Sequence, residues 1–311
     1  MELRILIEPQ FGASYEQQLE FAQAAEQLGF AALFRSDHVV NTAQTDGLPG
    51  PSEAWLTLGA LARETSTIRL GTLMTSAHFR PPALLALMVS QVDNMSSGRV
   101  ELGLGAGWFE REHAAFGFPF PAPAERLDRL REQLEIITGL WATPERENFS
   151  YRGKHYELSE CPALPKPHQA PAPPIIIGGG GPRRTPILAA RFANEFNIGL
   201  VDPDIVVAQY QRVRIACREL GRDPDSLMYS TATTVCCGRT RAEALRRVER
   251  GGTSPEELAP IGVAGTVSEV VDRLIEYRDT GAQRCYVRIL DIDDLEHLEL
   301  IATEVAPALA A

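Results

Sequence analysis

The sequence predicts an α/β chain closed into a (β/α)8 TIM barrel, with a small β-hairpin inserted before strand 5. Three observations carry that expectation. Short apolar runs alternate with amphipathic helical stretches along the chain, which reads as a parallel sheet. About eight such strand–helix units can be counted. No Pro, Gly or Ser-rich tract is long enough to part the 311 residues, so one barrel domain over 1–311 is expected.

The elements follow in order. LRILIE (3–8) is the first strand, and Ser14 with Gln17 forms a capping box for a helix that Gly29 ends. FAALF (30–34) is the second strand. Ser52 begins a helix with Trp55, Leu58 and Leu61 on one face. IRLGTLM (68–74) is the third strand, and Leu84, Met88, Val92 and Met95 align on a helix over 81–96. VELGLG (100–105) is the fourth. The steps of three and four through Leu127, Leu130, Leu134, Ile137 and Trp141 make 124–141 the clearest helix. FSYRGKHYEL (149–158) then folds back at Arg152-Gly153-Lys154 as the hairpin. Ile175–Ile177 form the fifth barrel strand, with Pro182 as the first residue of the next helix. Residues 195–199, 227–236 and 285–290 supply the remaining strands. Between them lie a helix at 203–220 that Gly221 ends, helical pieces within 240–261, and a helix at 266–279. A terminal helix closes the chain.

Composition narrows the function. The net charge of -11, with no basic run, argues against nucleic acid or an anionic membrane as partner. MELRILIEPQ has neither the basic flank nor the apolar core of a signal peptide, and no apolar run nears the ~18 residues of a membrane span. Five cysteines without a C-x-x-C read as reduced thiols in a cytoplasmic protein. The adjacent Cys236 and Cys237 read as a strand-borne pair without function, a redox pair being the other reading. With no His-x-His or H-E-x-x-H, no metal is expected, and the acidic run Asp291–Asp294 reads as the cap of the last helix. The absence of G-x-S-x-G argues against serine hydrolysis.

In such a barrel the active site forms where the strands end. Four successive strands deliver Arg35-Ser36-Asp37-His38, Leu73-Met74-Thr75-Ser76-Ala77-His78, Gly103-Leu104-Gly105-Ala106-Gly107-Trp108, and the run Gly178-Gly179-Gly180-Gly181. Consecutive glycines can turn their N–H groups inward as an anion nest, with a helix N-terminus behind and Arg183 and Arg184 adding charge. A phosphate is the natural occupant; a tight strand-to-helix turn is the plainer alternative. No Gly-Lys-Ser/Thr follows, so this is not a Walker loop, and the third glycine of 103–107 falls one residue early for a dinucleotide fingerprint. His38 is placed to donate to an oxygen or to act as general acid or base. Asp37 could fix its tautomer or turn to another loop.

These segments resemble the bacterial luciferase-like family of flavin- and deazaflavin-dependent oxidoreductases. The likeness rests on LGFAALFRSDH (28–38), TSTIRLGTLMTSAHFRPPALLA (65–86) and MSSGRVELGLGAGWFEREHAAFG (95–117). It continues through PFPAPAERLDRLREQLEII, RGKHYEL and PKPHQAPAPPIIIGGGG, and more weakly over 265–290. It is strongest for the branch that uses coenzyme F420. The resemblance implies a non-proline cis peptide between Leu73 and Met74, a bulge that sets Leu73, Met74 and Thr75 against the cofactor ring. It assigns Asp37 and His38 to the catalytic position, Gly105, Ala106 and Gly107 to the cofactor lining, and the Gly178–Gly181 loop to its phosphate. Trp108 would stack on the cofactor, cover the substrate or serve as structure. FMN users of the family carry an arginine where Ala106 stands, and the sugar-phosphate dehydrogenases a glutamate where Trp108 stands. The implied activity is hydride transfer between F420 and a small organic substrate. FMN-dependent monooxygenation fed by a partner reductase, and a non-catalytic flavin-binding role, are the alternatives. A homodimer is expected from the family, with the helices at 52–64 and 81–96 as contacts.

Overall fold

A computed structural model describes residues 1–42 and 47–310. Its strands, in chain order, are β1 (Glu2–Ile7), β2 (Ala32–Arg35), β3 (Arg69–Ser76), β4 (Val100–Gly105), β5 (Asn148–Arg152), β6 (Glu157–Pro162), β7 (Ile175–Gly178), β8 (Glu195–Gly199), β9 (Met228–Gly238), β10 (Gly262–Thr266) and β11 (Arg284–Ile289). Eight of them close a parallel barrel in the order β1-β2-β3-β4-β7-β8-β9-β11, and β11 returns to β1. β5 and β6 pair antiparallel as the hairpin ahead of the fifth barrel strand. The α-helices are α1 (Tyr15–Gln27), α2 (Ala54–Glu64), α3 (Pro82–Met95), α4 (Glu110–Phe116), α5 (Pro123–Ala142), α6 (Arg184–Phe192), α7 (Pro203–Glu219), α8 (Arg241–Arg250), α9 (Pro255–Leu258), α10 (Val267–Asp279), α11 (Leu295–Leu300) and α12 (Ala306–Ala310).

The alternation of side chains along each strand decides what enters the barrel. On β1, Ile5 and Ile7 pack into the outer core beneath the helices, each such burial contributing roughly 1.5–3 kcal/mol. Arg4 and Leu6 turn inward. At the N-terminal end of the strands, Arg4 donates to Glu101 Oε2 at 2.8 Å and the Tyr286 hydroxyl to Glu195 Oε1 at 2.8 Å, a buried ionic layer whose charges compensate one another. Above it Leu6, Ala32, Phe34, Ile176, Ala232 and Tyr286 fill the middle of the barrel. One step further the same alternation brings Glu8, Ser36, Gly105, Gly178, Asn197 and Arg288 to the mouth.

Local chemistry explains most of the boundaries. Ser14 and Gln17 form the expected capping box, Gly29 and Gly221 adopt positive φ where their helices end, and Asp294 caps α11 by accepting from the His297 N–H. Four features differ from the sequence reading. α2 is capped by Glu53, whose carboxylate accepts from the Leu56 N–H, because the Ser52 hydroxyl accepts from Arg35 instead. α6 begins at Arg184, two residues after Pro182, because the chain is still irregular through Arg183. The short α4 follows β4, where the sequence reading assigned no element. β10, GVAGT, pairs with the far half of β9; its two glycines and lack of alternation hide it as a helix lead-in. All five cysteines are free thiols, and Cys236 and Cys237 are buried on β9. No helix among the described residues is long and apolar enough to cross a membrane.

Candidate active site

The mouth of the barrel opens into a cavity of about 980 Å³. Its wall holds Asp37, His38, Leu73, Met74, Thr75, Gly105, Ala106, Gly107, Trp108 and the glycines Gly178–Gly181, so one chamber gathers the four strand ends. Arg183 is the exception: it is exposed at the N-cap of α6 and does not line the cavity. His78 also stays outside, buried against the His113 ring, and burial with His113 beside it pushes its imidazole down to about 4.

The Asp37-His38 couple is divided between two partners. Asp37 turns away from its neighbour and accepts from both arms of Arg80, at 2.6 and 3.0 Å, and from the Thr75 hydroxyl at 2.7 Å. Arg80 in turn grips Glu53. The carboxylate that holds His38 is Glu112, on α4, with His38 Nδ1 at 2.9 and 3.1 Å from its two oxygens. Glu112 is buried and also accepts from the Val39 N–H at 3.3 Å. Burial alone would lower the His38 pKa, but the hydrogen bond and charge of Glu112, with Glu8 and Asp37 nearby, outweigh it. The net shift is upward from the ordinary value. With Nδ1 committed, Nε2 is the nitrogen available for chemistry. Trp108 lies edge-on to His38, ring centroids 5.7 Å apart, and is 67% exposed at the rim.

The floor and the glycine run are built together. The Leu73–Met74 peptide is cis. The Met74 thioether reaches under Gly105 and against Gly178, where a Cβ would collide with its methyl group. Gly179 has φ +125°, and a Cβ on Gly181 would sit 2.6 Å from the Thr185 hydroxyl. Packing and backbone thus account for three of the four. Gly180 is different: a Cβ there would meet no protein atom nearer than Ile198 at 3.9 Å. Gln209, buried on α7, donates to the carbonyls of Gly179 and Gly181 at 3.1 and 2.9 Å, while Arg212 holds its own oxygen at 2.8 Å. Among the described residues the N–H groups of Gly180 and Gly181 donate to nothing. Nearby on the wall, Arg126 lies over the Phe120 ring at 4.0 Å with its Nε buried and unpartnered. Two unspent backbone donors and an unsatisfied guanidinium nitrogen suit a phosphate.

Glu112, Arg126 and Gln209 were not legible as site residues. Each sits within a helix among other charged residues, and only the packing of α4, α5 and α7 on the barrel brings it to the mouth.

The pattern of the luciferase-like monooxygenase family matches residues 1–259. The chain belongs to that family. An F420-dependent glucose-6-phosphate dehydrogenase from Segniliparus rotundus is 28% identical over 323 aligned residues, covering 94% of this chain and 93% of that one. A like-named protein from Amycolatopsis mediterranei is 31% identical over 184 residues, 59% of this chain, and the chain spans about half, 52%, of its length. In fold, this family member superposes on an F420-dependent secondary alcohol dehydrogenase, solved with an F420–acetone adduct, at a TM-score of 0.86 and 18% identity. That match covers 99% of this chain and 98% of the other.

Proposed function

We propose that this protein is an oxidoreductase that uses coenzyme F420 to move a hydride to or from a small organic substrate. The observation that carries the proposal is the joining, in one cavity, of the two unspent N–H groups of Gly180 and Gly181 to the His38–Glu112 couple. The nest and Arg126 would hold the cofactor phosphate, and Met74, Gly105 and Gly107 would seat its ring. F420, when bound, supplies a two-electron hydride donor or acceptor. The chain supplies the rest: a water-poor seat, and a proton held or released at His38 Nε2, with Glu112 fixing the tautomer. Ala106 places no cation where FMN users of the family carry an arginine, which favours F420, as do the relatives' names. Five free thiols support a cytoplasmic location, and apolar Leu84 and Leu87 exposed on α3 support a homodimer contact there.

Trp108 makes the test direct, because Trp55 and Trp141 are buried and Trp108 stands exposed at the cavity rim. Titration of the apoprotein is expected to show micromolar quenching by F420 and at least about tenfold weaker binding of FMN, a gap of about 1.4 kcal/mol. Tighter FMN binding with oxygen uptake would move the protein to the monooxygenase reading.

Gln209 offers a second check. Gln209→Leu releases the two glycine carbonyls and is expected to weaken F420 by about tenfold, within the range for hydrogen bonds to a charged group. Its effect on the dephosphorylated deazaflavin should stay under twofold. Equal losses for both ligands would mean that Gln209 acts on the whole site rather than on the nest.

A further inference from the structure

Among the described residues the cavity has one end built for an anion and only one. The nest and Arg126 belong to the loop after β7 and to the N-terminal turns of α5, between β4 and β7. In the closed order of eight strands, β7 stands opposite β1, and β4 opposite β11. The far wall is therefore the one carried by the ends of β1 and β11, together with the α8–β10 segment. There the single lining cation among the described residues is Arg288. Its Nη1 is 2.9 Å from Glu8 Oε2, its Nε donates to the Thr234 hydroxyl at 2.7 Å, and both side chains of the ion pair are 12% exposed. The other acidic group on this wall, Glu257, is spent on its own helix cap at Ser254. The chain has two lysines, Lys154 and Lys166, and neither lines the cavity. The rest of the described wall is mostly apolar, Leu6, Leu258, Ile261 and Leu290, with Phe11 beside Glu8, and Thr253 is its neutral polar member.

From this we infer that the substrate is uncharged, a small ketone or secondary alcohol with an apolar body, and not a phosphorylated sugar. The inference rests on the hydride-transfer reading above. A phosphate ester entering here would meet a guanidinium already neutralised by Glu8, and among the described residues no second cation to replace its water. A neutral alcohol meets no such obstacle, its carbon chain lying on the leucines and its oxygen toward His38. In the oxidising direction the carbon-bound hydrogen leaves with its electron pair to the oxidised deazaflavin. The hydroxyl proton passes to His38 Nε2 and a C=O bond forms; ketone reduction is the reverse. Atoms and electrons balance with no other reactant.

Two measurements separate this inference from the reading beneath it. Saturation-transfer NMR on the apoprotein, with cyclohexanol, cyclohexanone and glucose 6-phosphate as probes, needs no cofactor. With inorganic phosphate saturating the nest, transfer to the two neutral probes and not to the phosphate ester is expected; stronger transfer to the ester under that condition overturns the inference. Glu8→Gln, with its fold checked by circular dichroism, leaves Arg288 without its anion. It should raise affinity for glucose 6-phosphate at least tenfold, and no gain would overturn the charge argument. On holoenzyme, kcat/KM for C3–C6 secondary alcohols should exceed that for glucose 6-phosphate by at least a hundredfold. Failure of F420 to bind in the tryptophan titration would count against hydride transfer, and the apoprotein NMR would still decide the charge preference.

Discussion

Replacement of His38 by asparagine is expected to lower kcat by about 10²- to 10⁴-fold, the usual worth of a positioned general acid or base. Cofactor affinity should change less than twofold, because the nest lies across the barrel mouth from His38. The pH profile gives a finer check. His38 holds its proton above the ordinary range because Glu112 outweighs burial, so alcohol oxidation, which needs the neutral base, should rise with pH through that raised value. Glu112→Gln removes the charge and should move the rising limb to lower pH. Stability follows the same linkage. A proton bound more tightly in the folded chain stabilises it fully below the unfolded pKa of about 6.5, and the contribution disappears as pH rises through the folded value. The stability difference between wild type and Glu112→Gln should therefore be larger at pH 5.5 than at pH 9. An unmoved limb in the variant would show that Glu112 does not set the His38 proton.

Asp37→Ala should be costly to stability, by about 3–5 kcal/mol, because it leaves a mostly buried guanidinium short of its bidentate partner. Glu53 still touches Arg80, so the lower part of that range is expected. Urea denaturation at an unchanged m-value measures it as a shift of midpoint. Asp37→Asn keeps an acceptor for the Thr75 hydroxyl and should cost less. Since Asp37 does not touch His38, Asp37→Asn should also displace the pH limb less than Glu112→Gln does. A loss below about 1 kcal/mol for the alanine variant would mean that Glu53 alone compensates Arg80.

The part of the site that could be read in the chain is the part written in consecutive residues. Gly178–Gly181 follow three isoleucines, and Asp37-His38 and Met74-Thr75 each follow an apolar run, so a strand end could be located and its contents noted. Period-two alternation and three-and-four stepping are local signals, set by the backbone geometry of strand and helix. They placed the barrel, the hairpin and most helix limits without knowledge of any long-range contact. β10 and α4 escaped because each is short and owes its form to neighbours, β9 in one case and the barrel mouth in the other.

What the chain alone could not decide is which charge meets which. Asp37 adjoins His38 in sequence, yet in the loop after β2 the two side chains part, one to Arg80 and the other to Glu112, 74 residues further on. Gln209 meets the glycine carbonyls from another helix, and Glu8 meets Arg288 only because the last strand closes on the first. Such pairings depend on distances of a few ångströms between segments far apart in the chain, and a barrel sets those distances only when it closes. The sequence by itself determined the architecture and the strand ends where chemistry gathers. The closed barrel decided the partner of each charge at the cavity, the direction of the loop carbonyls, and which end of the cavity offers unspent donors.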